Sequence, residues 1–436
     1  MKTNVGLAVT CVCVASMMLF TPPMQAMDYG VCSHLTWSEY KQRNRAYGMA
    51  TAAGIRHFRC DFDWQGLQGD ASKIDFSRPD TILSEVQAHG FTLLPILDYG
   101  NERFCPNPFN DLDGWCDYVQ RVVSRYSTDV PVWEIWNEPD CGWTNCGGKP
   151  NPTNYYHLLK RSCAVIKNIN PKARIAIGGF AGVPIKYIET LYQLGARECF
   201  DIMNVHPYTG KPEGHLDRQL ERLRALMIRC DDAGKPIWVT EFGWPTSERL
   251  PGFNPKTGKF KNKGGEDEYH QAIYLSRAMG MCFATGVSRV YPFELRSRER
   301  ERYDRESDFG LVHGNFAPKP AFAAYVNFTD ACPSGSKMEG GSWRFTNEVY
   351  HIRWRRPAFA EEIREGEAHG TNAGMIWRAH DEKMIYELDI EAENIRFFDA
   401  FGQVVYPDAS AKGYKLVLSE TPIFYFFTRR EERATD

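Results

Sequence analysis

Eight short runs rich in β-branched and aromatic residues recur from Tyr29 to about Phe328, and each is followed by a longer stretch with helical spacing. The runs are Tyr29–His34, Ile55–Phe62, Thr92–Asp98, Val132–Asn137, Arg174–Phe180, Ile202–His206, Ile237–Phe242 and Ser288–Phe293. Between them, stretches such as Leu112–Tyr126, Asn154–Ile169, His215–Cys230 and Glu268–Phe283 are amphipathic at a spacing near 3.6. Gly or Pro then stops several of them, as at His89-Gly90-Phe91, Asn170-Pro171 and Gly234-Lys235-Pro236. Strand then helix, eight times over, predicts a (β/α)8 barrel across residues 27–330. A doubly wound open sheet shares the alternation and is the structural alternative. Gly178-Gly179-Phe180-Ala181-Gly182 lacks the full spacing of a nucleotide loop and reads as a tight strand end.

Past Asp330-Ala331-Cys332-Pro333-Ser334-Gly335 the texture changes. Val349–Trp354, Ala373–Arg378, Met384–Ile390, Ile395–Asp399, Lys415–Leu418 and Ile423–Thr428 are short, alternating and β-rich, with turn residues between them. This predicts a small antiparallel β-sandwich over 336–430. Asn327-Phe328-Thr329 matches a glycosylation sequon, a weak three-residue pattern.

At the other end, Lys2 precedes an apolar run from Val5 to Phe20, then Thr21-Pro22-Pro23 and Met24-Gln25-Ala26. The run is short for a spanning helix and reads as a signal peptide over 1–26, giving a secreted or periplasmic chain with no membrane span after its removal. Of 13 Cys, Cys11 and Cys13 leave with it, and an odd eleven remain. Export permits disulfides, and Cys141/Cys146 and Cys105/Cys116 are the expected pairs. Cys-x-x-Cys and His-Glu-x-x-His are both absent, which argues against zinc. A net charge of −3, with 52 Lys+Arg against 55 Asp+Glu, points to no nucleic acid partner. A monomer is expected.

Chemistry in such a barrel belongs where strands end. The fourth run places Asn137 and Glu138 at its carboxyl edge, stopped by Pro139, and the seventh places Glu241 at the corresponding edge. Cleaving a glycosidic bond needs an acid for the departing oxygen and a second carboxylate for the anomeric carbon, and two facing glutamates supply both. Flanking Trp136, Trp143 and Trp244 would keep one carboxyl protonated by desolvation, while a cation beside the other would keep it ionised.

Trp136-Asn137-Glu138-Pro139, paired with Thr240-Glu241-Phe242-Gly243-Trp244, resembles the signature of the clan A retaining glycoside hydrolases. The resemblance implies Glu138 as general acid/base, Glu241 as nucleophile and Asn137 as the partner of the sugar 2-hydroxyl, in a double displacement through a covalent glycosyl-enzyme. Gly54 to Trp64 resembles the second-strand segment of family 39, with family 5 next, and implies Arg59 beneath the nucleophile. Val205-His206-Pro207-Tyr208 resembles the end of strand six, making His206 and Tyr208 site residues, and Gly30 to His34 resembles strand one, making His34 a substrate contact. Trp64 and Trp244, with Trp115 and Trp143, are expected along a carbohydrate-binding cleft. Many clan members carry Trp at the end of strand eight; here the run is Tyr291-Pro292-Phe293-Glu294-Leu295. The charged run Arg296 to Asp308 that follows reads as a solvated loop or helix start. No cofactor or metal is implied, because proton transfer and carboxylate attack complete the chemistry. A non-hydrolysing carbohydrate-binding protein and a transglycosylase are the rival readings on the same scaffold.

Overall fold

Asp111, Asn151 and Asp267 stand immediately before three of the expected helices, and each side chain accepts hydrogen bonds from the backbone N–H groups of the first turn. Pro152 follows Asn151 at the first helical position, where a missing N–H costs nothing. These local signals fix where the chain turns from strand to helix in the computed structural model. The model describes residues 26–146, 148–246, 265–298, 307–340, 343, 348–357 and 372–429. All but the last residue of the expected signal peptide, and 299–306 of the charged run, lie outside the described residues.

The strands are Asp28–Cys32 (β1), His57–Asp63 (β2), Thr92–Asp98 (β3), Val132–Asn137 (β4), Arg174–Ala181 (β5), Met203–His206 (β6), Ile237–Val239 (β7) and Val287–Val290 (β8). They close a barrel in that order, every neighbouring pair parallel and β8 returning to β1, so the open-sheet alternative falls. The helices are Tyr40–Ala52 (α1), Trp64–Gln68 (α2), Ser77–Ala88 (α3), Leu112–Tyr126 (α4), Pro152–Ile169 (α5), Ile185–Gln193 (α6), Leu216–Arg229 (α7), Glu268–Ala284 (α8) and Pro320–Ala331 (α9). Inside the barrel, Cys32, Leu94, Val132, Ala176, Ile202, Trp238 and Tyr291 pack as one apolar plug below the mouth.

Beyond the barrel come Lys337–Met338 (β9), Val349–Arg355 (β10), Asn372–Arg378 (β11), Met384–Asp389 (β12), Ala392–Asp399 (β13), Val404–Val405 (β14), Asp408–Ser410 (β15), Gly413–Leu418 (β16) and Ile423–Arg429 (β17). They form a six-stranded sheet, order β14-β13-β17-β11-β10-β9, and a three-stranded sheet, order β12-β16-β15. Alternate residues of the larger sheet face opposite ways. Ile376, Phe397, Tyr425 and Phe427 pack with Leu388, Leu416 and Leu418 of the smaller sheet. Ile352, Trp354, Met375, Trp377 and Phe424 join the barrel's own core instead. Both faces are covered, which is why β11 and β17 read as nearly unbroken apolar runs.

The structure corrects the expectations for α8 and for the cysteines. Helix α8 is buried all round from Gln271 to Phe283 rather than amphipathic, because the sheet lies over it: a Cβ on Gly280 would sit 3.1 Å from Met375 Sδ. Asn327 of the sequon is on α9 in this seam, donating to Ala400 O at 3.1 Å. All eleven described cysteines are free. Cys105 turns its thiol to the Asp111 carbonyl, 3.4 Å away, while Cys116 lies on α4 beside Arg161, so the expected Cys105/Cys116 pair does not form. Cys141 is held against Glu138 and Trp143 and does not meet Cys146.

The seam also holds charge. Arg277 of α8 is fully buried, with its Nε 2.9 Å from Glu213 Oε1 and its Nη1 donating to the Glu420 carbonyl; Trp377 Nε1 donates to the same Glu213 oxygen. Breaking a buried pair from one side costs about 3–5 kcal/mol because it strands the other charge, whereas replacing both partners with apolar groups is often neutral. Arg277→Met is therefore expected to lower unfolding free energy by about 3 kcal/mol in urea, and Arg277→Met/Glu213→Leu to recover most of it. Equal losses in the single and double variants would contradict this account.

Candidate active site

Period-two alternation along β2 sends Phe58, Cys60 and Phe62 under the helices and Arg59, Asp61 and Asp63 toward the barrel interior and mouth. On β4, Val132 and Glu134 point inward while Trp133 and Ile135 point outward. Strict alternation would then bring Trp136 in and send Asn137 out. The structure does the reverse, because Trp136 adopts φ 71° and packs outward on Phe109 and Trp115, with ring centroids 4.7 and 5.5 Å away. Glu138 follows at φ 48°, its N–H bonded to Gly179 O at 2.9 Å. Two non-glycine residues in the left-handed region, with Asn137 between them, cost on the order of 1–3 kcal/mol each, and such strain concentrates at working sites.

Arg59 is the hub. Its Nε and Nη2 donate to Glu134 at 2.8 Å each, Nη1 donates to Glu241 Oε1 at 2.6 Å, and Nη2 also reaches Asn137 Oδ1 at 3.0 Å. That last bond fixes the Asn137 amide, whose Nδ2 donates to Tyr99 Oη at 3.0 Å. Tyr208 Oη donates to the other Glu241 oxygen at 2.8 Å. Burial alone would raise the Glu241 pKa, but the charges of His206 and Arg59 and the hydrogen bonds from Tyr208 and Arg59 outweigh it, and the net shift is downward. Glu241 stands two residues past the end of β7, where pairing continues irregularly through Phe293 N to Phe242 O.

Across the mouth, Glu138 Oε1 is 3.1 Å from His206 Nδ1. One oxygen of Glu138, one of Glu241 and a ring nitrogen of His206 all lie within 4.8 Å of one another. The imidazole fits because residue 179 is glycine: a Cβ there would come within 1.9 Å of His206 Nε2. A cavity of about 760 Å³ opens over these groups, lined also by His34, Asp61, Tyr99 and Phe293. Burial opposes a charge on His34, yet Asp61 and Glu294 on either side raise its pKa to about 9.

Glu138, Glu241, Asn137, Arg59, His206, Tyr208 and His34 thus converge as the sequence predicts. Trp64 and Trp244 do not. Trp64 is buried, stacked on Tyr118 with its Nε1 donating to Gln68, and Trp244 is buried against Phe242 and Tyr274 with its Nε1 donating to Gly210 O. Trp115 is likewise in the core. Of the tryptophans expected beside a carboxyl, only Trp143 reaches the cavity. Glu134, Asp61, Tyr99, Phe293 and Trp37 were missed. The alternation Arg59-Cys60-Asp61-Phe62-Asp63 was a usable signal for Asp61. Phe293 lines the cavity from the segment where many clan members have Trp.

Residues 22–260 match the family model for cellulase, glycosyl hydrolase family 5. The chain belongs to this family. It is a clan A glycoside hydrolase, and so one of the retaining O-glycosyl hydrolases. No curated protein matches the sequence. Among solved structures, a family 39 glycoside hydrolase from Bacteroides cellulosilyticus WH2 superposes with a TM-score of 0.71 at 18% identity, over 93% of this chain and 81% of that one. A family 39 β-xylosidase from Caulobacter crescentus gives 0.61 at 13%, covering 93% and 97%, and the family 30 xylanase C from Talaromyces cellulolyticus gives 0.60 at 10%, covering 93% and 97%. Identities this low speak for the fold, barrel and β-rich tail together.

A lowered Glu241 pKa keeps that carboxylate ionised below the ordinary value of 4.5. Removing a donor weakens the ionised form, so Tyr208→Phe is expected to move the acidic limb of kcat/KM upward by roughly half a pH unit or more. An acidic limb unmoved in this variant would show that the Tyr208 bond does not hold the charge.

Proposed function

We propose that this glycoside hydrolase is exported and cleaves internal β-glycosidic bonds of a polysaccharide or oligosaccharide by double displacement. The observation that carries the mechanism is the pair of carboxyls approaching within 4.8 Å, with Arg59 and Tyr208 on Glu241 and His206 on Glu138. Retaining enzymes hold their carboxyls about 5–5.5 Å apart, whereas inverting ones leave about 6.5–9.5 Å for a water. A Glu241 oxygen attacks the anomeric carbon as the bond to the departing oxygen breaks and Glu138 gives that oxygen its proton. Water then attacks the same carbon, passes a proton to Glu138 and frees Glu241. Asn137, clamped by Arg59 and Tyr99, presents its amide to the 2-hydroxyl. Export is read from the apolar run Val5–Phe20 before Ala26, and N-terminal sequencing of the exported protein checks the cleavage.

Chain-like substrate is supported by two exposed indoles on different sides of the mouth. Trp37, 53% exposed, follows β1 and stacks on the His34 ring at 4.3 Å and 2°. Trp143, 67% exposed, follows β4 and meets Tyr99 at 6.1 Å. An aromatic face on each side of the scissile bond suits sugar units extending both ways.

Proton NMR of the first-formed product from a panel of β-linked glycans is expected to show retention, and Glu241→Gln to cut kcat by at least about 10³-fold while oligosaccharide still binds. An inverted product, or undiminished hydrolysis by Glu241→Gln, rules the mechanism out. Trp37→Ala and Trp143→Ala are each expected to raise KM for a long substrate about tenfold, a loss near 1.4 kcal/mol, with little change for a monosaccharide aryl glycoside cleaved by the same enzyme. If both variants impair the short substrate equally, the cleft is a closed pocket for terminal units.

A further inference from the structure

A line of side chains behind the acid side of the site fixes which ring nitrogen of His206 carries hydrogen. It begins at Glu134, whose oxygens receive Arg59 Nε and Nη2 and also Asn204 Nδ2 at 2.9 Å; a carboxylate with these donors only accepts. The Asn204 amide nitrogen therefore points at Glu134, and its oxygen points at Thr240. Thr240 Oγ1 donates its single hydrogen to Asn204 Oδ1 at 2.7 Å. With that hydrogen used, Thr240 Oγ1 can only accept from His206 Nε2, 2.9 Å away. Neutral His206 is held as the Nε2–H tautomer, and its bare Nδ1 faces Glu138 Oε1 at 3.1 Å.

From this geometry we propose that Thr240, acting through His206, is a positioning residue that keeps one proton on the Glu138–His206 contact. Losing that proton would set the Nδ1 lone pair against the Glu138 carboxylate; keeping it, on either partner, makes a hydrogen bond. The inference rests on Glu138 being the acid/base of the proposed mechanism. Other groups face the pair. Glu241 Oε2 lies 3.8 Å from His206 Nδ1 and favours a proton there, Tyr208 holds that same oxygen, and Arg59 with Glu134 stands one bond further back. Asp140, its pKa raised to about 6 by burial, and Cys141, its thiol pushed up to about 12 by burial, border Glu138 from the β4 loop. None of these supplies His206 Nε2 with a second acceptor.

Thr240→Val keeps the shape and removes the acceptor. Its imidazole is free to adopt the Nδ1–H tautomer, which stabilises ionised Glu138. The test is 15N NMR of histidine-labelled enzyme, with His206 assigned by its absence in His206→Asn, beside pH profiles on phenyl β-glycosides, whose departing phenolate needs the acid. Expected results are an Nε2–H ring in the wild type and in Thr240→Ser, an Nδ1–H ring in Thr240→Val, and an alkaline limb roughly one pH unit lower in Thr240→Val alone. A wild-type ring protonated on Nδ1, or a Thr240→Val ring unchanged from wild type, overturns the proposal, and so does an unmoved limb. Glu138→Gln separates the two layers: if it keeps the wild-type alkaline limb, the acid/base reading fails and the proposal with it. If it abolishes that limb while Thr240→Val leaves it in place, only the role of Thr240 fails.

Discussion

A guanidinium with almost no exposure, set between two carboxylates inside the barrel, is the constraint from which the site follows. Arg59 is 3% exposed, and a buried charge of this kind is tolerated only when its partners are close and its donors are used. Glu134 answers with a two-toothed pairing at 2.8 Å, the fork geometry for which arginine is suited and lysine is not. Glu134 is itself fully buried and carries no expected role in the chemistry; it holds the guanidinium plane still. Only because that plane is fixed does the remaining edge of Arg59 meet both Glu241 and Asn137. One cation thus positions Glu241 and Asn137 together, from strands on different sides of the barrel.

The barrel around this hub depends on what covers it. The apolar plug beneath the mouth closes the lower interior, so the polar groups gather above it, toward the rim. On the outside, α8 has no polar face among its described middle turns, and the β-rich tail takes the place of water. The tail is therefore part of the barrel's hydrophobic core as much as an appendage to it. Arg277, Glu213 and Trp377 cross the same seam with an ion pair and a hydrogen bond, contacts that tie the two parts in one register.

Much of this was legible in the sequence, and the illegible parts have physical reasons. Strand order, strand ends and the two glutamates followed from local periodicity and the residues at strand termini, which are decided within a few residues of chain. Tail strands were legible for the same reason. Trp64 and Trp244 were misplaced because an indole beside a motif looks alike whether it faces sugar or core; what decides is a partner such as Tyr118 or Tyr274, distant in sequence. Asn137 reached the mouth only through the positive φ of Trp136, a backbone inversion that alternation does not foresee. The cysteine pairing failed because proximity in sequence says nothing about where a thiol points once α4 has formed.

The same side-chain type stands on both sides of the mouth, and the division of labour comes from what donates to each. The two groups hydrogen-bonded to Glu241 are donors, Arg59 on one oxygen and Tyr208 on the other, and His206 Nδ1 lies 3.8 Å from that second oxygen. The charges of His206 and Arg59 together with these hydrogen bonds hold its pKa down despite burial. Glu138 instead faces a nitrogen whose hydrogen has been committed elsewhere by Thr240 and Asn204. A lone pair opposite a carboxyl rewards a proton between them. In the proposed mechanism the first environment suits attack and the second suits donation, so roles that identical side chains could have exchanged are set by the direction of five hydrogen bonds. The Arg59 and Thr240 branches of these sets trace back to Glu134, which orients Arg59 with two contacts and Asn204 with one. A carboxylate buried beneath the cavity therefore helps to orient the two that line it.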